Sequence, residues 1–206
     1  MSGLEEYKRK RDFGKTAEPS GGERKPGDQP IFVIQKHAAS SLHYDFRLEV
    51  DGVLKSWAVP KGPSTDPSVR RLAIPTEDHP LDYADFEGII PEGEYGGGSV
   101  LVWDTGPYRN LRGEKEEGTR SMAESIDDGQ IEVWLEGEKL QGGYVLIRTG
   151  SGDEDARWLL IKMKDEKADA RRNPTGTEPK SVLSGRTLEE IEEQGKENPE
   201  ENEGGR

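Results

Sequence analysis

The sequence predicts a mainly β protein: an antiparallel barrel, or a barrel-like sandwich, with few short helices. Three observations lead there. Between residues 31 and 164, short apolar runs rich in Val, Ile, Leu, Trp and Tyr recur between Gly- and Pro-containing turns. One run, LHYDFRLEV, alternates cleanly, with Leu42, Tyr44, Phe46, Leu48 and Val50 on one side and His43, Asp45, Arg47 and Glu49 on the other. No strand–helix–strand alternation is visible, which argues against a parallel nucleotide-binding sheet.

The elements follow in order. Residues 1–30 are polar and rich in Gly and Pro, and predict a flexible arm with a short helical turn around Leu4–Arg11. FVIQKH reads as a strand, and LHYDFRLEV as the next. Asp51-Gly52 supplies a tight hairpin turn, and VLKSWAV returns as the partner strand. RRLAIPT, GSVLVWD, QIEVWLEG, GYVLIRT and RWLLIKMK are further strands, while residues 112–127 fit a loop or a short helix. We therefore expect a domain over 31–164 and an acidic, largely disordered tail over 165–206. Within that tail TLEEIEEQ predicts a brief helix over 187–194, with Thr187 and Glu190 forming a capping box.

Composition narrows the function classes. The chain has 206 residues, of which 30% are hydrophobic, so part of it is expected outside a core. It has no cysteine, which excludes disulfides, iron–sulfur clusters and thiolate zinc sites and suits a reducing cytoplasm. No apolar run approaches the ~20 residues of a membrane span, and the N-terminus lacks a secretory signal. A soluble cytoplasmic monomer with no membrane partner is expected. The net charge of −13 argues against nucleic acid as a partner, because phosphate attraction needs Lys and Arg. Its distribution weakens the argument: residues 165–206 carry 12 acidic and 7 basic side chains, while 1–30 carry 7 basic and 6 acidic. Carboxylates around a metal ion would also stop repelling a phosphate once the ion is bound.

The chemistry concentrates in QKHAASSLHYDFR, residues 35–47, which holds two of the three histidines. A strand's period of two puts His43, Asp45 and Arg47 in a row, with neighbours ~7 Å apart. If FVIQKH lies alongside, His37 joins them, with Gln35 on the same face. Two imidazoles and a carboxylate suit a divalent transition metal with open positions. Arg47, a fixed planar cation one step along, suits a phosphate oxygen. His79 and Tyr83 lie among the carboxylates of TEDHPLDYADFEG, and the glycines of IPEGEYGGGSV permit close approach of a ligand.

Each feature has a plainer reading. Spacing alone fits a cross-strand ion-pair network as well as it fits a metal site. Arg47 and Lys61 could be solvated charges, and the four tryptophans fit core positions better than base-stacking platforms. A chemical rival also stands: His43, Asp45 and His79 match the His-x-Asp…His ligand pattern of non-haem iron oxygenases. That scheme leaves His37 and Arg47 without a role.

QKHAASSLHYDFRLEVDGVLKSWAVPKGPS and EDHPLDYADFEGIIPEGEYGGGSVLVWDTG closely resemble the 3′-phosphoesterase family, the N-terminal module of the bacterial end-joining ligase D. The likeness runs from about Tyr7 to Lys164, including KRDFGKTAEP near the start and GEKLQGGYVLIRT and RWLLIKMKD near the end. It implies a manganese-dependent enzyme, for which cobalt or zinc could substitute, acting on DNA primer–template 3′ ends. Such an enzyme removes a terminal ribonucleoside as a phosphodiesterase, then the 3′-phosphate as a monoesterase. The resulting 3′-OH serves an end-joining polymerase and ligase. The resemblance assigns His37, His43 and Asp45 to the metal, and Arg47, His79 and Tyr83 to the scissile phosphate. Arg11, Asp12 and Glu18 match polar residues used mainly in the monoesterase step. Gln35, Lys61, Glu77 and Arg71 fall on the active-site surface. On this reading Arg47 stabilises charge on the non-bridging oxygens, and His79 donates a hydrogen bond or a proton to the leaving oxygen. A non-catalytic DNA-end-binding module on the same fold is the remaining alternative.

Overall fold

The structure is a computed structural model, which describes residues 3–22, 24–115, 120–150 and 157–197. Nine strands form the framework: β1 (Ile31–Ala38), β2 (Leu42–Val50), β3 (Val53–Val59), β4 (Arg70–Pro80), β5 (Gly88–Ile90), β6 (Gly98–Asn110), β7 (Gln130–Glu136), β8 (Gln141–Thr149) and β9 (Arg157–Lys162). Eight of them close an antiparallel barrel in the order β1-β2-β3-β4-β9-β8-β7-β6, sealed by the β1–β6 pairing, while β5 adds to β6. Closure removes the exposed sheet edges that an open meander would leave. The β2–β3 hairpin turns on Asp51 (φ 49°) and Gly52 (φ 81°), the paired positive φ values that match strand twist in a two-residue turn.

Alternation along β2 sets the two layers. Tyr44, Phe46, Leu48 and Val50 join the main core, which draws side chains such as Phe32, Trp57, Trp103, Val133, Leu146 and Trp158 from around the barrel. On the opposite face of β2, Asp45, Arg47 and Glu49 are buried as well. They are covered from outside by the N-terminal segment and a 3-10 turn (Leu81–Asp85), which build a second apolar cluster around Tyr7, Val33, Leu54, Leu81, Tyr83 and Phe86.

Two departures from the sequence reading matter for the site. RRLAIPT continues as strand through Pro80, so Glu77 and His79 lie in the sheet rather than beyond the end of the predicted strand. Pairing of Leu54 with His79 and of Ser56 with Thr76 leaves Glu77 and Asp78 opposite Lys55 alone, a bulge that re-aims the strand. The arm is also more than a loose leader. Its short helix α1 (Glu5–Arg9) is followed by turns that bury Tyr7, Thr16 and Glu18.

The ambiguous 112–127 stretch contributes two short helices, α2 (Leu111–Lys115) and α3 (Met122–Asp127), the latter opened by a Ser121–Glu124 capping box. After β9 the chain is better ordered than its composition suggests. A single turn, α4 (Pro174–Thr177), leads into α5 (Leu188–Glu197), which the expected Thr187–Glu190 capping box opens. This segment returns over the barrel. Trp103 Nε1 donates to Glu178 O at 2.7 Å, Val182 N donates to Val102 O at 3.0 Å, and Leu188 and Ile191 enter the main core. A few apolar anchors therefore decide the matter where mean composition pointed to disorder. Residues 198–206 of the predicted tail lie outside the described residues. No helix among the described residues is long and apolar enough to cross a membrane.

Ile191 tests this packing. Its truncation to Ala should lower stability by about 2–5 kcal/mol, the usual cost of emptying a buried aliphatic site. Denaturant unfolding measures it. An unchanged midpoint would mean that α5 is not docked.

Candidate active site

The antiparallel register of β1 and β2 sets His37 directly across from His43, and Gln35 across from Asp45. Both pairs lie on the outer face, so three ligand-type side chains converge: one atom each of His37, His43 and Asp45 lies within 4.8 Å of the others. Asp45 Oδ2 is 3.5 Å from His37 Nδ1 and 3.6 Å from His43 Nε2. The outward nitrogens are spoken for. His37 Nε2 lies 2.7 Å from Gly96 O, and His43 Nδ1 lies 3.0 Å from Ser41 O. A carbonyl only accepts, so each of those nitrogens carries a proton, and the inward-facing nitrogen is the one that can offer a lone pair to an ion. Two oriented lone pairs and a carboxylate can hold a metal ion, and the N,N,O set fits a divalent transition metal with positions left for water and substrate. Burial would raise the Asp45 pKa, but Arg47 and the two histidines hold it well below the ordinary carboxylate range, so it is ionised and ready to coordinate.

Arg47 is fixed on every side. Its Nε donates to Gln35 Oε1 at 2.8 Å and its Nη1 to Ser56 Oγ at 2.8 Å, while its Nη2 lies 3.3 Å from Asp45 Oδ2. Its guanidinium carbon sits 5.0 Å from the Tyr83 ring centre. The side chain is 3% exposed, so its position is set before any ligand arrives.

His79 lies between two arginines. Its Nδ1 is 2.9 Å from Glu77 O and 3.0 Å from Arg47 Nη1, and its Nε2 is 3.3 Å from Arg11 Nη2. Burial, then Arg47 and Arg11, hold its pKa well below the ordinary histidine value. The ring is therefore neutral, with one N–H engaged by Glu77 O. That places the ring's proton on Nδ1 and leaves Nε2 to accept from Arg11 Nη2. The geometry also removes the His43–Asp45–His79 triad of the oxygenase reading. It is His37 that stands with His43 and Asp45, while both nitrogens of His79 face arginines.

The remaining candidates divide by position. Arg11 reaches the cleft from the arm, donating to Glu18 Oε1 at 2.8 Å and to Glu77 Oε1 at 3.0 Å. Glu77 has its pKa lowered: burial opposes ionisation, but a backbone hydrogen bond, Arg11 and Lys10 outweigh it. Tyr83 lines the cleft, but its hydroxyl donates to Glu18 Oε1 at 3.0 Å. Glu18 and Gln35 stand behind the wall. The first joins Arg11 to Tyr83, and the second donates through Nε2 to Tyr83 O and Phe86 O at 2.9 and 3.1 Å. Asp12, Lys61 and Arg71 are not part of the cleft wall. Asp12 is exposed and pairs with Lys15 at 3.2 Å, Lys61 is exposed in the turn after β3, and Arg71 lies at the far end of β4 opposite Leu160.

These side chains surround a cleft of about 260 Å³. Sequence reasoning passed over several members of its wall or frame, among them Ser56, Thr76 and Tyr95, and took Gly96 only as part of a glycine-rich run. Ser56 had a readable place, on the outer face of β3 across from Arg47. Gly96 sits at φ +77°, and a Cβ there would meet His37 Cε1 at 3.6 Å. The glycine-rich turn thus brings a carbonyl to a histidine. Tyr95, in the same turn, carries no periodic signal.

Comparison with known proteins agrees with this geometry. The family model described as the DNA ligase D 3′-phosphoesterase domain matches residues 35–148. The multifunctional non-homologous end joining protein LigD of Pseudomonas aeruginosa is 51% identical over 191 residues, covering 90% of this chain and 22% of that protein. The multifunctional non-homologous end joining DNA repair protein LigD of Mycobacterium tuberculosis is 49% identical over 166 residues, and the LigD of Mycolicibacterium smegmatis 46% over 165. The chain thus spans about a fifth of the length of the curated relatives it matches. A family match over more than half of the chain, on strands that carry the His37–His43–Asp45 cluster and Arg47, shows that this protein belongs to the DNA ligase D 3′-phosphoesterase domain family.

Proposed function

We propose that the protein heals DNA 3′ ends as a metal-dependent phosphoesterase. It first hydrolyses the diester to a terminal ribonucleoside and then removes the 3′-phosphate. The product is a 3′-OH for the polymerase and ligase of end joining in the cytoplasm. The observation that carries this reading is the pairing of an oriented His37–His43–Asp45 cluster with a buried, pre-positioned Arg47 in one cleft. A pure end-binding module needs neither lone pairs aimed inward nor an ionised carboxylate between them.

Manganese is the proposed ion, with cobalt or zinc compatible with the same donors. Once bound by His37, His43 and Asp45, such an ion supplies Lewis-acid neutralisation of phosphate charge. Arg47 binds a non-bridging oxygen. Nη2 has an N–H to spare beyond its contact with Asp45, and the fixed guanidinium needs no reorganisation as charge develops. Arg11, from the arm, adds a second cation on the far side of His79. His79 spaces the two guanidinium groups through its ring nitrogens. Glu18 and Gln35 position Arg11, Tyr83 and Arg47 without touching substrate.

Two measurements test this. On an end-labelled duplex primer with one 3′ ribonucleotide and added manganese, the wild-type protein should give a 3′-phosphate and then a 3′-OH. His43→Ala and Asp45→Ala should lose both products. Full activity in either variant would sink the metal assignment, and wild-type binding without any change of the 3′ end would favour the end-binding module. Arg47→Lys keeps the charge but loses the planar fork and its bonds to Gln35 and Ser56; among variant molecules that remain folded by circular dichroism, it should slow the diester step by about 100- to 1,000-fold. A rate near wild type would show that Arg47 shapes the fold rather than the transition state.

A further inference from the structure

Among the described residues, Tyr95 is the one aromatic among the large side chains left exposed, at 47%. It stands at the rim of the cleft that holds the metal-binding cluster. Its ring is held in place from the arm: Lys10 Nζ lies 4.7 Å and Arg11 Cζ 5.4 Å from the ring centre. Its hydroxyl reaches Glu77 Oε2 at 3.5 Å and accepts from Lys10 Nζ at 3.4 Å. A large aromatic that is fixed but uncovered is a pre-formed contact surface.

The same ring also walls a second cleft of about 310 Å³, lined by Glu6, Lys10, Pro75, Thr76, Glu77 and Tyr95. Thr76, Glu77 and Tyr95 belong to both clefts, so the two adjoin at that seam. The second cleft differs in chemistry from the first. Lys10 is spent there on Glu6 and Glu77, at 2.7 and 3.2 Å, while Pro75 and the Tyr95 ring offer flat apolar faces. Thr76 Oγ1, at the seam, is buried without a hydrogen-bond partner.

We infer that Tyr95 is a stacking platform for the nucleobase of the 3′-terminal nucleoside, which occupies the cleft toward Pro75 while its phosphate faces Arg47. This rests on the phosphoesterase reading and adds a nucleoside subsite to it. Stacking on a tyrosine tolerates every base, because each has a π-face, so the subsite recognises a terminal nucleoside without choosing among sequences.

The test uses a duplex primer ending in a 2-aminopurine ribonucleoside joined through a non-hydrolysable methylenephosphonate, with manganese present. Binding to the wild-type protein should quench the terminal fluorescence. Tyr95→Ala should abolish the quench and weaken binding about ten-fold. Tyr95→Phe, which keeps the ring, should preserve both. On a primer ending in a 3′-phosphate, which lacks the terminal nucleoside, Tyr95→Ala should weaken binding far less. Quenching that survives Tyr95→Ala, or an equal loss on both ends, overturns the platform. Turnover of the hydrolysable primer by the wild-type protein reports separately on the reaction. Hydrolysis without Tyr95-dependent quenching removes the platform alone, and quenching without hydrolysis supports the platform while removing the reaction.

Discussion

The constraint on which the rest of the structure depends is the burial of Arg47. A guanidinium that is 3% exposed must find a partner for nearly every N–H, because breaking such a buried network costs roughly 3–5 kcal/mol. Its surroundings come from neighbouring strands: Gln35 of β1, Asp45 of β2 and Ser56 of β3 take its N–H groups, and the His79 ring of β4 closes on Nη1 at 3.0 Å. Four adjacent strands of a closed barrel are what it takes to surround one side chain in this way. The metal-binding cluster inherits the arrangement, since Asp45 is at once a candidate ligand and the arginine's counter-ion.

Burial of this face in turn requires a cover, and the arm supplies it. Tyr7 packs against His79 and Tyr83 at ring-centre distances of 5.0 and 6.0 Å, and its hydroxyl donates to Pro19 O at 2.7 Å. Arg11 and Glu18 then enter as a compensated pair, 2.8 Å apart. The arm thus completes the cleft wall as well as sealing the second apolar cluster. Its order follows from two aromatic contacts and an ion pair that only the folded barrel offers, which is why its Gly- and Pro-rich composition reads as loose chain.

That difference marks what the sequence makes legible. Strand β2 could be read outright, because a period of two on a half-apolar strand fixes both its boundaries and its faces. The Asp51-Gly52 turn then fixed the partner strand, and strand adjacency was enough to bring His37 to His43. His79 was harder. Pro75 and Pro80 and a run of carboxylates disguise the end of β4 as a loop, and only pairing with β3 through a bulge makes it strand. Asp12 shows the converse: its motif drew attention, yet its carboxylate faces solvent beside Lys15. Tyr95 was invisible because its importance lies in what surrounds it across the fold, and no local pattern encodes exposure. The order of residues 165–197 was missed for a related reason, since Leu188 and Ile191 are too few to shift a segment's composition yet sufficient to dock it.

Local charge also resolves the objection raised by a net charge of −13. Most of that charge lies away from the cleft, whose wall holds two cations, Arg11 and Arg47, and two anions, Asp45 and Glu77. Those four charges cancel, so the arginines and carboxylates together present no net charge to a phosphate. A divalent ion at His37, His43 and Asp45 changes the balance by two units within a few ångströms of Arg47, where low dielectric magnifies the effect. The protein's own residues therefore set geometry and leave the sign of the field to the ion. On the proposed reading, an acidic chain of this design engages a phosphate-bearing end once an ion fills the cluster.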